Sequence, residues 1–226
     1  MLEMIKNKKL IIIGNTSNAK LAHFYFNSDS EYNIVGFSVN TEYISSPKFC
    51  DLPVFPLENL SKSHPKEDFY LFVSIGYSNM NNTRKRIYLE CKNMGYSMAN
   101  YISSSCNFLT DREIGDNNFI LEDNTIQPFV EIGSNNVIWS GNHIGHDVKI
   151  MNHCFITSHV VISGFTIIKN NCFIGVNSTL RDDILIAPYS LIGAGVTIMD
   201  STNENDVYLA PKPFKLDKLS TDLKIS

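Results

Sequence analysis

The chain has 226 residues, 43% hydrophobic and 19% charged, enough for one large domain or two small ones and too apolar for intrinsic disorder. Nineteen basic against twenty-three acidic residues give a net charge of -4 without a long basic run, which argues against nucleic acid as the main partner. No apolar stretch approaches the ~20 residues of a membrane helix, the start Leu10–Ile13 is too short for a signal peptide, and five cysteines without C-x-x-C spacing fit a reducing cytoplasm.

The first hundred residues alternate between strand and helix patterns. Lys9–Ile13 reads as a short buried strand ended by Gly14, and Ser17–Phe26 has helical spacing with Leu21, Phe24 and Tyr25 on one face. Tyr32–Val39 and Leu52–Phe55 read as the next strands, and Pro56–Leu60 opens a short helix. Phe69–Ile75 is a strongly apolar fourth strand closed by Gly76. Asn79–Met94 reads as a helix with Arg84, Lys85 and Arg86 on its exposed side and Gly95 as its stop. This alternation predicts a small, doubly wound parallel sheet over residues 1–99.

From residue 100 a period of six replaces the helical pattern. The interior series is Ile114, Ile120, Ile126, Ile132, Ile138, Ile144, Ile150, Ile156, Ile162, Ile168, Ile174, Leu180, Ile186, Ile192 and Ile198. Fifteen apolar residues in one phase would arise by chance from a given start roughly three times in a million, so the repeat outranks every other signal. A helix of 3.6 residues per turn cannot hold a period of six on one face. Four residues after each interior position stands a small or medium side chain, from Asn118 and Asn124 to Cys154 and Cys172. Glycine often follows the isoleucine, as at Gly115, Gly133, Gly145, Gly175 and Gly193.

This second half resembles the hexapeptide-repeat, left-handed β-helix acyltransferases over about residues 102–200. In that fold three hexapeptides make one triangular coil, so residues eighteen apart stack and Cys154 lies under Cys172 as an interior pair. With the small βα domain in front, the whole chain looks like the bacterial nucleotide-sugar acyltransferases, among them amino-sugar N-acetyltransferases and proteins labelled sialic acid O-acetyltransferases. Cys172-Phe173-Ile174-Gly175-Val176-Asn177-Ser178 is similar to the family's C-F-I/L-G-x-N-S/A segment, and Val207–Pro213 resembles a degraded V-x-x-G-x-P-A-K tail. The organisation expected is a Rossmann-like nucleotide-sugar domain at 1–99, a left-handed β-helix binding acyl-CoA at 100–205, and a tail at 206–226.

The densest polar cluster is Asn142–Asp147. His146 stands two residues past interior Ile144 and so points outward, and Gly164 lies one coil away on the same face. A histidine beside a bare backbone suits an acyl-transfer site, because glycine admits a thioester closely. The family's catalytic histidine occupies a Glu/Gly-His-Asp/Glu segment in this slot, which makes His146 the general base and Asp147 the carboxylate that orients or charges it. Resemblance also offers the Gly164 N–H to the oxyanion and places the pantetheine arm near Gly164, Gly175, Gly193 and Ala194. His143 would shape the pocket, and His153 and His159 sit on other outward corners facing a neighbouring subunit. Trp139 is either a trimer contact or a pocket wall. Zinc held as in trimeric β-helix carbonic anhydrases needs three converging imidazoles, and here His143 and His146 straddle a turn and no third histidine repeats at eighteen, so no metal is expected.

In the first half, Gly14-Asn15-Thr16-Ser17-Asn18-Ala19-Lys20 follows a strand and opens a helix, where a phosphate or sugar meets free amides. The family's loop is richer in glycine, and its aspartate after the second strand is replaced here by Asn40. Gly14, Asn15, Thr16, Asn40 and His143 are therefore the substrate-binding candidates. The expected activity is acetyl transfer from acetyl-CoA to the amino group of a nucleotide-linked amino sugar for surface glycan synthesis. The expected assembly is a cytoplasmic homotrimer with sites between adjacent β-helices. Sugar O-acetylation and a catalytically silent trimeric sugar-binding scaffold are the alternatives.

Overall fold

A computed structural model describes residues 6–222. Its first part is a sheet with helices on both faces. The chain runs β1 (Lys8–Ile13), α1 (Ser17–Ser28), β2 (Tyr32–Val39), β3 (Lys48–Phe49), β4 (Leu52–Pro56), α2 (Leu60–Ser63), β5 (Phe69–Val73), α3 (Asn82–Asn93) and β6 (Ser97–Met98). The strand order is β3-β4-β2-β1-β5-β6, with every neighbouring pair parallel except β3 and β4. Leu10 and Ile12 face α1, where Ala19, Ala22 and Phe26 are buried. Ile11 and Ile13 face the opposite layer, against Leu57, Leu60, Ile87 and Cys91. A parallel strand buried on both faces needs this unbroken apolar run, which Leu10–Ile13 supplies.

The second part is a parallel β-helix of three faces. The first face stacks seven two-residue strands, from Tyr101–Ile102 through Val137–Ile138 and Phe155–Ile156 to Val207–Tyr208. The second stacks six, including Thr125–Ile126, His143–Ile144, Val161–Ile162 and Thr179–Leu180, and the third four, from Glu131–Ile132 to Leu185–Ile186. Pairing advances by one eighteen-residue coil from Tyr101 to Ile198, as in His143 with Val161 and Phe155 with Phe173, and only the last step, Leu191 to Val207, is two residues shorter. Ile120 to Ile198 form one continuous core.

The repeat starts earlier than its isoleucines suggest, because Ile102 and Phe108 are in phase and already carry strands, whereas Ile114 has none and is only partly buried. It also runs later, since Val207–Tyr208 pairs with Leu191–Ile192.

Each corner turns on a residue with positive φ, three before the next interior position. Asn117, Asn135, Asp147, His153, Phe165, Asn171 and Asp183 all fall in this set. Asn and Asp tolerate that conformation best among residues with a Cβ, which explains the Asn/Asp-rich corners. The glycines after the interior residues have a different cause. A Cβ on Gly145 would stand 2.7 Å from the Gly164 nitrogen, and one on Gly175 2.6 Å from the Ala194 nitrogen. Backbone of the next coil fills that space.

The sheet domain sits on the first face of the β-helix. Phe26, Phe72, Tyr101 and Phe119 form one aromatic cluster across the seam. Trp139, for which the sequence leaves a trimer contact and a pocket wall both open, is half-buried and packs in the interdomain cluster, 6.4 Å from the Phe155 ring. The docking corrects two expectations. His153 is buried under α3 rather than presented to a neighbouring subunit, 5.7 Å from the Tyr88 ring. Arg84 is fully buried rather than exposed, because its side of α3 lies on the β-helix.

Candidate active site

His146 occupies the turn between the second and third faces, at the corner opposite the docked first face. Its N–H donates to Gln127 Oε1 at 2.9 Å, and its carbonyl accepts from Phe165 N at 3.1 Å. These bonds fix the backbone from the coils on either side. The imidazole Nδ1 lies 3.0 Å from Asp147 Oδ2. A carboxylate only accepts, so Nδ1 carries the hydrogen and Nε2 keeps the free lone pair. Phe165 meets the ring edge-on at 5.0 Å. A Cβ on Gly164 would fall 3.1 Å from Nε2 and 3.0 Å from Cε1. The ring therefore lies against the bare backbone that the eighteen-residue spacing indicated. Among the described residues no acceptor takes the Gly164 N–H.

His143 projects from the second face between Thr125 and Val161 and is exposed. Gly175, Gly193 and Ala194 lie at the other edge of that face, in the corner shared with the first. Gly193 is covered by the last coil, with a notional Cβ 3.0 Å from Leu209 Cδ2. The four candidates for the acyl carrier thus flank the second face on its two edges instead of clustering. Cys154 and Cys172 are interior, each thiol donating to a carbonyl, Lys169 O at 3.0 Å and Ala187 O at 3.1 Å.

A second concavity, about 290 Å³, opens at the C-terminal ends of the sheet strands. The order reverses between β1 and β5, and such switch points are where open parallel sheets bind ligands. Gly14, Asn15, Thr16 and Asn40 line it, over a floor that includes Ile13, Val39 and Ile87. Gly14 has φ +136°, and a Cβ there would meet Ser74 O at 2.8 Å, so only glycine fits. Asn15 Nδ2 donates to Tyr43 O at 2.8 Å. Asn40 Nδ2 donates to Glu58 Oε1 at 3.1 Å, and that carboxylate also takes the Thr41 N–H and hydroxyl. Its own and Thr41's backbone amides hold the Glu58 carboxyl below its ordinary range.

Tyr43, Thr83 and Arg86 line the same pocket and escaped sequence reasoning. They come from two places, the turn after β2 and the start of α3, and no sequence signal ties those places together. Every lining residue belongs to the sheet domain, so one chain does not bring this pocket to His146.

The corner ladder beneath the sheet domain includes a titratable group. Asn117 Nδ2 donates to Asn135 Oδ1 at 2.8 Å, and Asn135 Nδ2 lies 2.8 Å from His153 Nδ1. Burial, then Lys85 and Arg84, pushes the His153 imidazole down to about 4. The folded chain therefore holds His153 neutral, and its contribution to stability is complete above about pH 6.5 and lost as pH falls towards 4. Melting temperature should drop across that interval, and His153→Asn, which continues the amide ladder, should flatten the drop. An equally steep fall in the variant would count against the assignment.

The comparisons with known proteins bear on the fold. Residues 113–145, 130–164 and 165–200 match the family model described as bacterial transferase hexapeptide (six repeats). The match lies within the β-helical half of the chain. The whole chain is similar in fold to a histidine-to-asparagine variant of perosamine N-acetyltransferase from Caulobacter crescentus, solved with CoA and GDP-perosamine. That match has a TM-score of 0.78 at 18% identity, covering 88% of this chain and 92% of the other. The acetyltransferase domain of PglB from Neisseria gonorrhoeae gives 0.78 at 18% identity, covering 89% and 96%. WeeI from Acinetobacter baumannii gives 0.74 at 15%, covering 88% and 95%. No curated protein matches in sequence. Among the described residues no three His, Cys, Asp or Glu side chains converge on a metal position, and no helix is long and apolar enough to cross a membrane.

Proposed function

We propose that the chain is a cytoplasmic, acetyl-CoA-dependent N-acetyltransferase acting on a nucleotide-linked amino sugar, with His146 as general base. The observation that carries this is the His146 ring, oriented by Asp147 on Nδ1 and laid along the Gly164 backbone with Nε2 free. The similar fold of a perosamine N-acetyltransferase with CoA and GDP-perosamine supports the substrate class. On this reading the β-helix is left-handed and the sheet domain is a Rossmann-like nucleotide-sugar domain.

An amino group reaches the enzyme protonated and must lose a proton to attack. Nε2 takes a proton from the attacking nitrogen as the N–C bond forms, giving an imidazolium that Asp147 stabilises. The thioester oxygen becomes an oxyanion, for which the unclaimed Gly164 N–H is the donor. Collapse breaks the C–S bond and leaves an amide, the CoA thiol and one proton for solvent. Arg86 and the open amides at the start of α1 suit the diphosphate, Asn40 and Tyr43 the base, and His143 the sugar.

The pocket and base meet only if subunits share sites. The second and third faces expose Val161, Phe165, Met151 and Leu185, apolar surface that a cyclic trimer would cover. Gly164, Gly175, Gly193 and Ala194 border the cleft this creates for the pantetheine arm. Sedimentation should show a trimer. Thiol release from acetyl-CoA across a panel of nucleotide 4-amino and 3-amino sugars should find an amine acceptor. Release with hydroxyl acceptors alone would move the reading to O-acetylation, and no release at all would overturn it.

A further inference from the structure

Arg84 is the most completely buried charged side chain described, and no carboxylate accompanies it. Nη1 donates to Gly76 O and Asn81 Oδ1, both at 3.2 Å. Nη2 reaches three carbonyls of the β-helix corner, Asn135 O at 3.4 Å, His153 O at 3.0 Å and Cys154 O at 3.1 Å. Among the described residues its Nε has no partner. Burial lowers the guanidinium to about 10, so it stays charged at neutral pH. The guanidinium carbon also lies 5.7 Å from the Phe155 ring centre. A buried cation held by carbonyl dipoles and a ring face, with no carboxylate, is costly, and an apolar side chain would serve packing better.

The turn before α3 repeats the pattern. Asn79, Met80 and Asn81 have φ of 52°, 46° and 65°, three left-handed residues in succession. L-residues adopt that conformation singly and at a cost. The next coil holds it, with Asn81 Nδ2 donating to Asn171 O and Cys172 O, and Asn171 Nδ2 to Met80 O. Strain and a buried charge meet at one junction, and both are directed at particular coils of the β-helix.

Those coils are informative. His153 and Cys154 belong to the coil 137–154 that carries His143 and His146. Thr83 and Arg86, which flank Arg84 on α3, line the sheet-domain pocket. One helical turn thus joins the pocket wall to the coil of the base. In a cyclic assembly with its axis along the β-helices, equivalent coils of every subunit share one height.

We propose that Arg84 is a positioning residue that sets the height of the acceptor pocket against the coil bearing His146. This rests on the acyl-transfer reading. Neighbouring coils are about 4.8 Å apart, so a small slip along the axis misplaces the acceptor nitrogen by a damaging fraction of that spacing.

The test compares wild type with Arg84→Met, similar in volume but without donors, and Arg84→Lys, which keeps the charge and reaches fewer carbonyls. Turnover at saturating acceptor should fall about 10- to 100-fold in Arg84→Met and less in Arg84→Lys, with affinities for acetyl-CoA and for UDP, GDP or dTDP within about two-fold of wild type. Hydrogen exchange should quicken at residues 76–84 and 135–154 and stay unchanged at 197–198. A folded Arg84→Met protein with wild-type turnover, or one losing affinity in step with turnover, would overturn the proposal. If Arg84→Met does not fold, Arg84→Lys carries the same comparison. If wild type transfers to no acceptor, the acyl-transfer reading falls by itself, and unchanged exchange at the seam would then remove the clamp.

Discussion

Replacing His146 by alanine should lower turnover by about two to four orders of magnitude, the usual worth of a general base. The protein should stay folded, because the imidazole is half exposed and lies outside the core of isoleucines. Acetyl-CoA affinity should persist, since the histidine acts on the acceptor proton. Asp147→Asn should cost less. It leaves the base in place and removes only the carboxylate 3.0 Å from Nδ1. Steady-state kinetics on a turned-over nucleotide amino sugar decide the matter, and a His146→Ala enzyme with near wild-type turnover would hand the role to His143.

Gly164→Val should cost roughly 100-fold in turnover with little loss of fold, because sub-ångström placement of the base governs a reaction of this kind. The first added carbon would stand 3.0 Å from His146 Cε1 and 3.2 Å from its carbonyl. The imidazole is free to swing away, so the strain is relieved by moving the base rather than by opening the coil. Gly145→Val makes the contrast. Its Cβ meets backbone at 2.7 Å, which cannot give way, so stability should fall along with activity. Kinetics and thermal melts on both variants separate the outcomes. A Gly164→Val protein that loses stability as Gly145→Val does would show that the glycine serves packing alone.

The β-helix was legible because its period is physical. Each coil repeats the same wall, so an interior position recurs at every sixth residue and an outward one can be assigned by phase. That arithmetic put His146 outward and Gly164 above it, and the ring does lie on that glycine. The same arithmetic misplaced His153. It points out of its coil, but the sheet domain covers the corner beside the first face. Outward from a coil became inward in the molecule.

In the sheet domain, the strands and helices followed from apolar runs and glycine stops, whereas the pocket did not. Gly14, Asn15, Thr16 and Asn40 were visible because each follows a strand. Tyr43 reaches the same cavity from a turn and Thr83 and Arg86 from one turn of α3, and no spacing joins the two segments. Arg84 was hidden for a related reason. Beside Lys85 and Arg86 it looks like part of a solvated face, and only the docked β-helix gives its guanidinium carbonyls to hold. Local periodicity, carried by side-chain pattern, decided the two architectures and the partner of His146. Docking, which depends on surfaces from distant parts of the chain, decided which charges are buried, where the pocket closes, and that the pocket and the base stand apart within a single chain.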